Sequence, residues 1–166
     1  MTRRLLAMIA AGPVLALGLS AAALAQPADF EVSLERGACF GTCPVYSVTI
    51  HQDGLVEYEG QGWVKAMGRQ TSHVSPDAVR KLYNQIEAMR FFELAPRYEA
   101  KITDQATQVL TVRMGGAVHR VEDYAGQIVG MPPAVVDLET AVDQTAGVER
   151  WVGSLEERRH LSRHPS

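Results

Sequence analysis

Twice in this chain an alternating run of apolar and polar residues reaches a glycine turn and alternates back. Because strand side chains have a period of two, each turn length decides whether the apolar faces meet. In the first case Tyr46, Val48 and Ile50 precede Gln52-Asp53-Gly54, and Val56 and Tyr58 follow. A two-residue Asp53-Gly54 loop would set Ile50 against Glu57, whereas a three-residue loop sets Ile50 against Val56 and Val48 against Tyr58. The three-residue turn is expected, with Gly54 left-handed in a bulge. Thr49 then faces Glu57 and Ser47 faces Glu59, so these carboxylates belong to a wet sheet face rather than to an acid–base couple. In the second case Gln108 to Met114 runs into Gly115-Gly116 and returns through Ala117 to Tyr124. A two-residue loop sets Met114 against Ala117, Val112 against His119 and Leu110 against Val121. His119 therefore falls on the apolar face, where a packed, hydrogen-bonded role is expected rather than a ligand role.

The remaining pattern fills in an α+β fold. Phe30, Val32 and Leu34 alternate with Glu31, Ser33 and Glu35 as a first strand, and Arg69 to Val74 supplies another after the break at Gly68. Ser75-Pro76-Asp77 combines a capping hydroxyl, proline at the first helical position and an acid suited to the helix dipole. Val79, Leu82, Tyr83, Ile86 and Met89 then recur at helical spacing to about Phe92. A polar loop through Pro96, Tyr98 and Asp104 leads to the second hairpin. Pro132-Pro133 opens a second helix striped by Val135, Leu138, Val142 and Thr145 and stopped by Gly147. Trp151 and Val152 are expected to dock beyond it. The predicted architecture is an antiparallel β-sheet with two helices packed on one face, in the order β-β-β-β-α-β-β-α. No glycine-rich phosphate loop and no fixed-period repeat occurs.

Residues 1–25 read as a secretory signal: Arg3 and Arg4, an apolar run from Leu5 to Leu19, and Ala23-Leu24-Ala25 as the cleavage site. General secretion is favoured over the twin-arginine route, because Leu5-Leu6-Ala7 follows the arginines without the expected Phe or later Lys. The run is broken by Gly12 and Pro13, and no other segment could cross a bilayer, so no membrane span is expected in the mature chain. The expected organisation is a signal at 1–25, one α+β domain at 26–153 and a polar tail at 154–166. Removing Arg3 and Arg4 leaves 14 basic against 19 acidic side chains, hence a net charge of −5. That balance disfavours nucleic acid as a partner.

Cys39 and Cys43 are the only cysteines. Outside a reducing cytosol, in the periplasm or the medium, two thiols this close are expected to form a disulfide. Closing so short a loop removes only about 2 kcal/mol of chain entropy, so the bridge is expected to fix local shape rather than hold up the fold. Gly41 lets the chain reverse, and Pro44, lacking an N–H, suits the start of a following strand. Phe40, Gly41, Thr42 and Pro44 thereby become a candidate binding loop. The Cys-x-x-x-Cys-Pro string also resembles the copper-binding loop of thioredoxin-like copper chaperones of cytochrome oxidase assembly. There a helix follows the cysteines, whereas Val45 to Ile50 alternates as a strand. A thiol–disulfide enzyme would place its attacking cysteine at a helix N-terminus or beside a cation, and neither is predicted.

Other chemistry is sparse. His160 and His164 stand at the spacing of a metal pair, but Arg158, Arg159 and Arg163 surround them, so a solvated basic tail is expected. His51 and His73 are isolated in sequence. Asp123-Tyr124, leaving the second hairpin together, and Asp104 in the preceding loop form a candidate polar site, although strand-end polar residues often only cap turns. No catalytic residue, metal ligand or cofactor is assigned.

The segment Glu35-Arg36-Gly37-Ala38-Cys39-Phe40-Gly41-Thr42-Cys43-Pro44-Val45-Tyr46 resembles a bacterial domain of unknown function, family 6438, marked by Cys-Phe-Gly-x-Cys-Pro. The resemblance continues through Asp53-Gly54, Tyr58-Glu59-Gly60, Phe91-Phe92, Thr103-Asp104, Gly116, Val121-x-Asp123-Tyr124 and Glu149-Arg150-Trp151. Ala38 stands where proline is more usual. The family implies no activity. The expectation is an exported, non-enzymatic binding or interaction domain whose partner is an unspecified exported protein or envelope ligand. A periplasmic thiol-redox or copper-handling protein using Cys39 and Cys43 is the alternative.

Overall fold

The computed structural model describes residues 27–163. The expected export signal at 1–25 and His164 lie outside the described residues. One seven-stranded sheet runs β4-β3-β2-β1-β6-β7-β5, with β1 Glu31–Arg36, β2 Val45–His51, β3 Leu55–Gly62, β4 Gly68–His73, β5 Arg97–Glu99, β6 Gln108–Met114 and β7 Ala117–Tyr124. Helices α1 (Pro76–Ala88) and α2 (Pro133–Ala146) pack against each other, and α2 lies on β1 and β2. Short α3 (Glu149–Val152) and α4 (Leu155–Arg163) follow.

Both hairpins have the expected register. Ile50 pairs with Val56 and Val48 with Tyr58 around the three-residue turn, where Gly54 has φ 88°. Val112 pairs with His119 around Gly115-Gly116, whose φ values of 59° and 79° suit a two-residue turn that glycine enters freely. The Asp29 carboxylate accepts the N–H groups of both turn glycines, at 2.9 and 2.6 Å. Those two bonds hold its pKa below the usual aspartate value.

Three features depart from the expected order. The stretch read as a polar loop contains β5, which pairs parallel to β7 through Tyr98 and Asp123, so the sheet is mixed rather than wholly antiparallel. Three residues carry too little periodicity to show as a strand. Helix α1 stops at Ala88 instead of continuing to Phe92: Arg90 turns left-handed at φ 55°, and Phe91–Glu93 form a separate 3-10 turn that buries Phe91. Beyond α2, Trp151 and Val152 dock as expected, their carbonyls accepting Ala66 and Lys65 N–H at 2.8 and 3.0 Å. The tail itself is helical in α4, joined to β3–β4 by Lys65–Glu157 at 2.9 Å.

The core lies between the sheet and the helices. Val32, Leu34, Val48, Ile50, Val56, Tyr58, Leu110, Val112 and Val121 meet Val79, Leu82, Ile86, Val135, Leu138 and Val142. Tyr58 stacks on Trp151 at 4.9 Å between ring centroids. The opposite sheet face carries Ser47, Thr49, Glu57 and Glu59, the wet face expected from the register.

Candidate functional site

Register alone assembles a polar row at one end of the core. The inward residue that ends β1 is Arg36; it pairs with Tyr46 on β2 and Gln108 on β6, and Gln108 pairs in turn with Asp123 on β7. Each continues an inward face whose adjacent residue is apolar: Leu34, Val48, Leu110 and Val121. The row therefore closes the core where α2 crosses it. From α2, Asp143 accepts Arg36 Nε at 2.9 Å and the Tyr46 hydroxyl at 2.8 Å, and Arg36 NH2 lies 2.7 Å from the same carboxylate. One helical turn earlier, Glu139 Oε2 stands 3.6 Å from Arg36 NH1.

Electrostatics follow from this crowding. Burial opposes the Arg36 charge, yet Asp143, Tyr46 and Glu139 together hold its pKa above the ordinary value. Burial, reinforced by the Asp143 carboxylate, pushes the Tyr46 phenol far above its usual range, so it remains a donor. Burial pushes Glu139 up to about 7; Arg36 opposes this, and Asp123 and Asp143 add to it. Glu139 and Asp123 are only 4% and 7% exposed. Glu139 Oε1 has no hydrogen-bond partner among the described residues. Two ionised carboxylates cannot bond each other, so a hydrogen bond between Glu139 and Asp123 requires a proton on one of them.

The cysteine loop is the covalent link between Arg36 and Tyr46. Cys39 and Cys43 are disulfide-bonded with Cα atoms 5.7 Å apart. Gly37 N–H bonds Thr107 O at 2.8 Å, and from α4 Arg158 NH1 donates to Thr42 O at 3.2 Å. A loop held at its stems, its bridge and its crown nevertheless leaves Phe40 88% exposed. Trp63 follows Gly62, the residue paired with Val45, and so reaches the same end of the sheet; it is 40% exposed and left-handed at φ 52°, an uncommon conformation for a bulky residue. Between Tyr46, Asp143, Val148 and Val152 lies a cleft of about 400 Å³.

The candidate polar site at Asp104, Asp123 and Tyr124 does not assemble as a unit. Neighbours on a strand face opposite ways, so Asp123 turns into the core, accepting Gly126 N–H at 2.6 Å. Tyr124 turns outward, where its hydroxyl accepts Gln105 N–H at 3.4 Å beside exposed Asp104. His119 donates from Nε2 to Leu94 O at 3.0 Å and packs its ring on Phe91 and Phe92, at centroid distances of 5.5 and 6.0 Å. It is a packed residue, as the register required. His51, isolated in sequence, bridges Glu31 at 3.2 Å and Glu57 at 3.0 Å across three strands.

Sequence reasoning missed Arg36, Tyr46, Glu139 and Asp143 as a group. The available signal was a charged residue on an apolar stripe: Glu139 follows Leu138 and lies four before Asp143 on the buried side of α2.

Comparison with known families matches residues 30–146 to the one described as Domain of unknown function (DUF6438). Comparison with curated proteins finds no match.

Proposed function

Since the chain belongs to this domain-of-unknown-function family, which brings no reaction with it, we propose from its geometry that it is an exported, non-enzymatic binding domain that presents Phe40 to a protein partner. The carrying observation is an aromatic side chain left 88% exposed on a loop fixed by a disulfide and by bonds from α2, from α4 and from Thr107 just before β6. Aromatic side chains on rigid supports make strong interface anchors, because little conformational entropy is lost when they bind. Trp63 at the same end of the sheet extends the surface. Export is supported by the signal at 1–25 and is consistent with the disulfide.

A photoreactive phenylalanine analogue placed at 40, or at Thr49 on the wet sheet face, tests this in cells that export the protein. A discrete adduct from position 40 alone, lost to competition by wild-type protein but not by Phe40→Ala, is the expected result. Equal labelling from both positions would overturn the reading.

Cys39 and Cys43 are half-buried rather than sealed in the core, which supports a second reading, in which they exchange with other thiols or take up copper. Thiol counting on protein taken from its native compartment separates the two. Reduced cysteines that bind Cu(I) stoichiometrically would displace the structural bridge.

A further inference from the structure

The cysteine loop leaves the sheet through two residues, Arg36 and Tyr46, and both are held by one side chain of α2, Asp143. Arg36 also faces Glu139, four residues earlier on the same helix, and Glu139 in turn faces Asp123 from β7. A single guanidinium thus meets two carboxyl groups, Asp143 and Glu139, in a largely buried space, and Asp123 acts on Glu139 from behind. Coulomb attraction and repulsion are strong at such short range and low dielectric, so a proton on one of the three changes the balance for all.

We propose that Glu139 is a proton-operated latch on the cysteine loop: protonated, it leaves Arg36 wholly to Asp143 and the loop stems are clamped to α2; ionised, it competes for Arg36 and releases the clamp. With Glu139 neutral, its proton bridges toward Asp123, and Arg36 with Tyr46 closes on Asp143 as the distances show. With Glu139 ionised, it repels Asp123 and Asp143, and the relief nearest to hand is Arg36, already 3.6 Å away. Moving the guanidinium toward Glu139 weakens its hold on Asp143, the residue that also fixes Tyr46.

Among the described residues no other charged group is paired with Glu139. The residues paired with Asp123 from β6 and β5 are Gln108, an amide, and Tyr98, a phenol. Helix α1 offers α2 the apolar Val79, Leu82 and Ile86, while its Arg80, Lys81 and Glu87 are exposed. The raised Glu139 value, about 7, puts the change where modest shifts of external pH would reach it. The latch adds a regulation to the surface proposed above and rests on that reading for its purpose, though not for its chemistry.

NMR titration of the disulfide-intact domain, from about pH 5 to 8.5 so as to span the raised carboxyl, tests the latch without any partner. The amides of Gly37, Cys39 and Gly41 should shift with the same midpoint as the Glu139 side-chain carbon. Their hydrogen exchange should also rise several-fold beyond the intrinsic effect of pH. Glu139→Gln should abolish both responses and keep the loop in its low-pH state, which separates the effect from any change elsewhere in the molecule. Asp123→Asn, which removes one repelling charge, should lower the two midpoints together. Loop resonances that ignore the Glu139 titration, or that titrate unchanged in Glu139→Gln, would overturn the latch. Neither outcome bears on crosslinking from position 40, so the latch and the binding surface can fail separately.

Discussion

Arg36 and Asp143 are 107 residues apart and meet side by side, Nε and NH2 of the one at 2.9 and 2.7 Å from Oδ2 of the other. The pair joins the end of β1 to the last turn of α2, and the Tyr46 hydroxyl completes it. Asp143→Ala leaves a largely buried guanidinium and a phenol without their acceptor. Loss of about 2 to 3 kcal/mol is expected by urea denaturation. Asp143→Asn keeps an acceptor and should cost less. Equal losses would show that the charge is immaterial.

Glu139 makes stability depend on pH. Folding retains a proton that the unfolded chain, titrating at 4.5, releases earlier, so the native state binds more protons between that value and about 7. Stability from this group is fully present below the lower value, falls as pH rises through the window and is lost above it. The whole fall is roughly 3 kcal/mol by linkage. Glu139→Gln should flatten the profile and exceed wild type in melting temperature at alkaline pH. A steeper alkaline loss in the variant would contradict the assignment.

The disulfide should matter little to the global fold. Replacing Cys39 and Cys43 together by alanine is expected to cost about 2 kcal/mol, because the closed loop is short, and to leave a cooperative thermal transition. Circular dichroism melts read this directly. Collapse of the sheet in the double variant would mean that the loop supports the core.

Gly126 is where backbone must pass close to the site. A Cβ there would lie 2.7 Å from Tyr98 Cβ, 2.9 Å from Asp123 Oδ1 and 2.9 Å from Met131 Sδ. Gly126→Ala should displace the turn after β7, break its 2.6 Å bond to Asp123 and cost on the order of 2 to 3 kcal/mol. Gly68→Ala, where a Cβ meets nothing within 4 Å, carries only the left-handed penalty of about 1 kcal/mol. Comparison of the two variants by chemical denaturation separates crowding from backbone strain.

What the sequence determined by itself is local or periodic. The faces of Val48, Ile50, Val56 and Tyr58 admit one turn length, Ser75-Pro76-Asp77 starts a helix, Gly147 ends one, and two cysteines four apart have only each other. Each rests on steric or hydrogen-bonding preferences acting within a few residues. Tertiary structure decided the rest. Strand β5 exists because β7 offers Tyr98 and its neighbours a parallel edge, a choice three residues cannot announce. Arg36, Glu139 and Asp143 look like ordinary surface residues when read singly, and nothing in the sequence joins them to Tyr46 or Asp123. They become one buried cluster only when β1 lies between β2 and β6 and α2 crosses above, for burial is what turns separated charges into a coupled set.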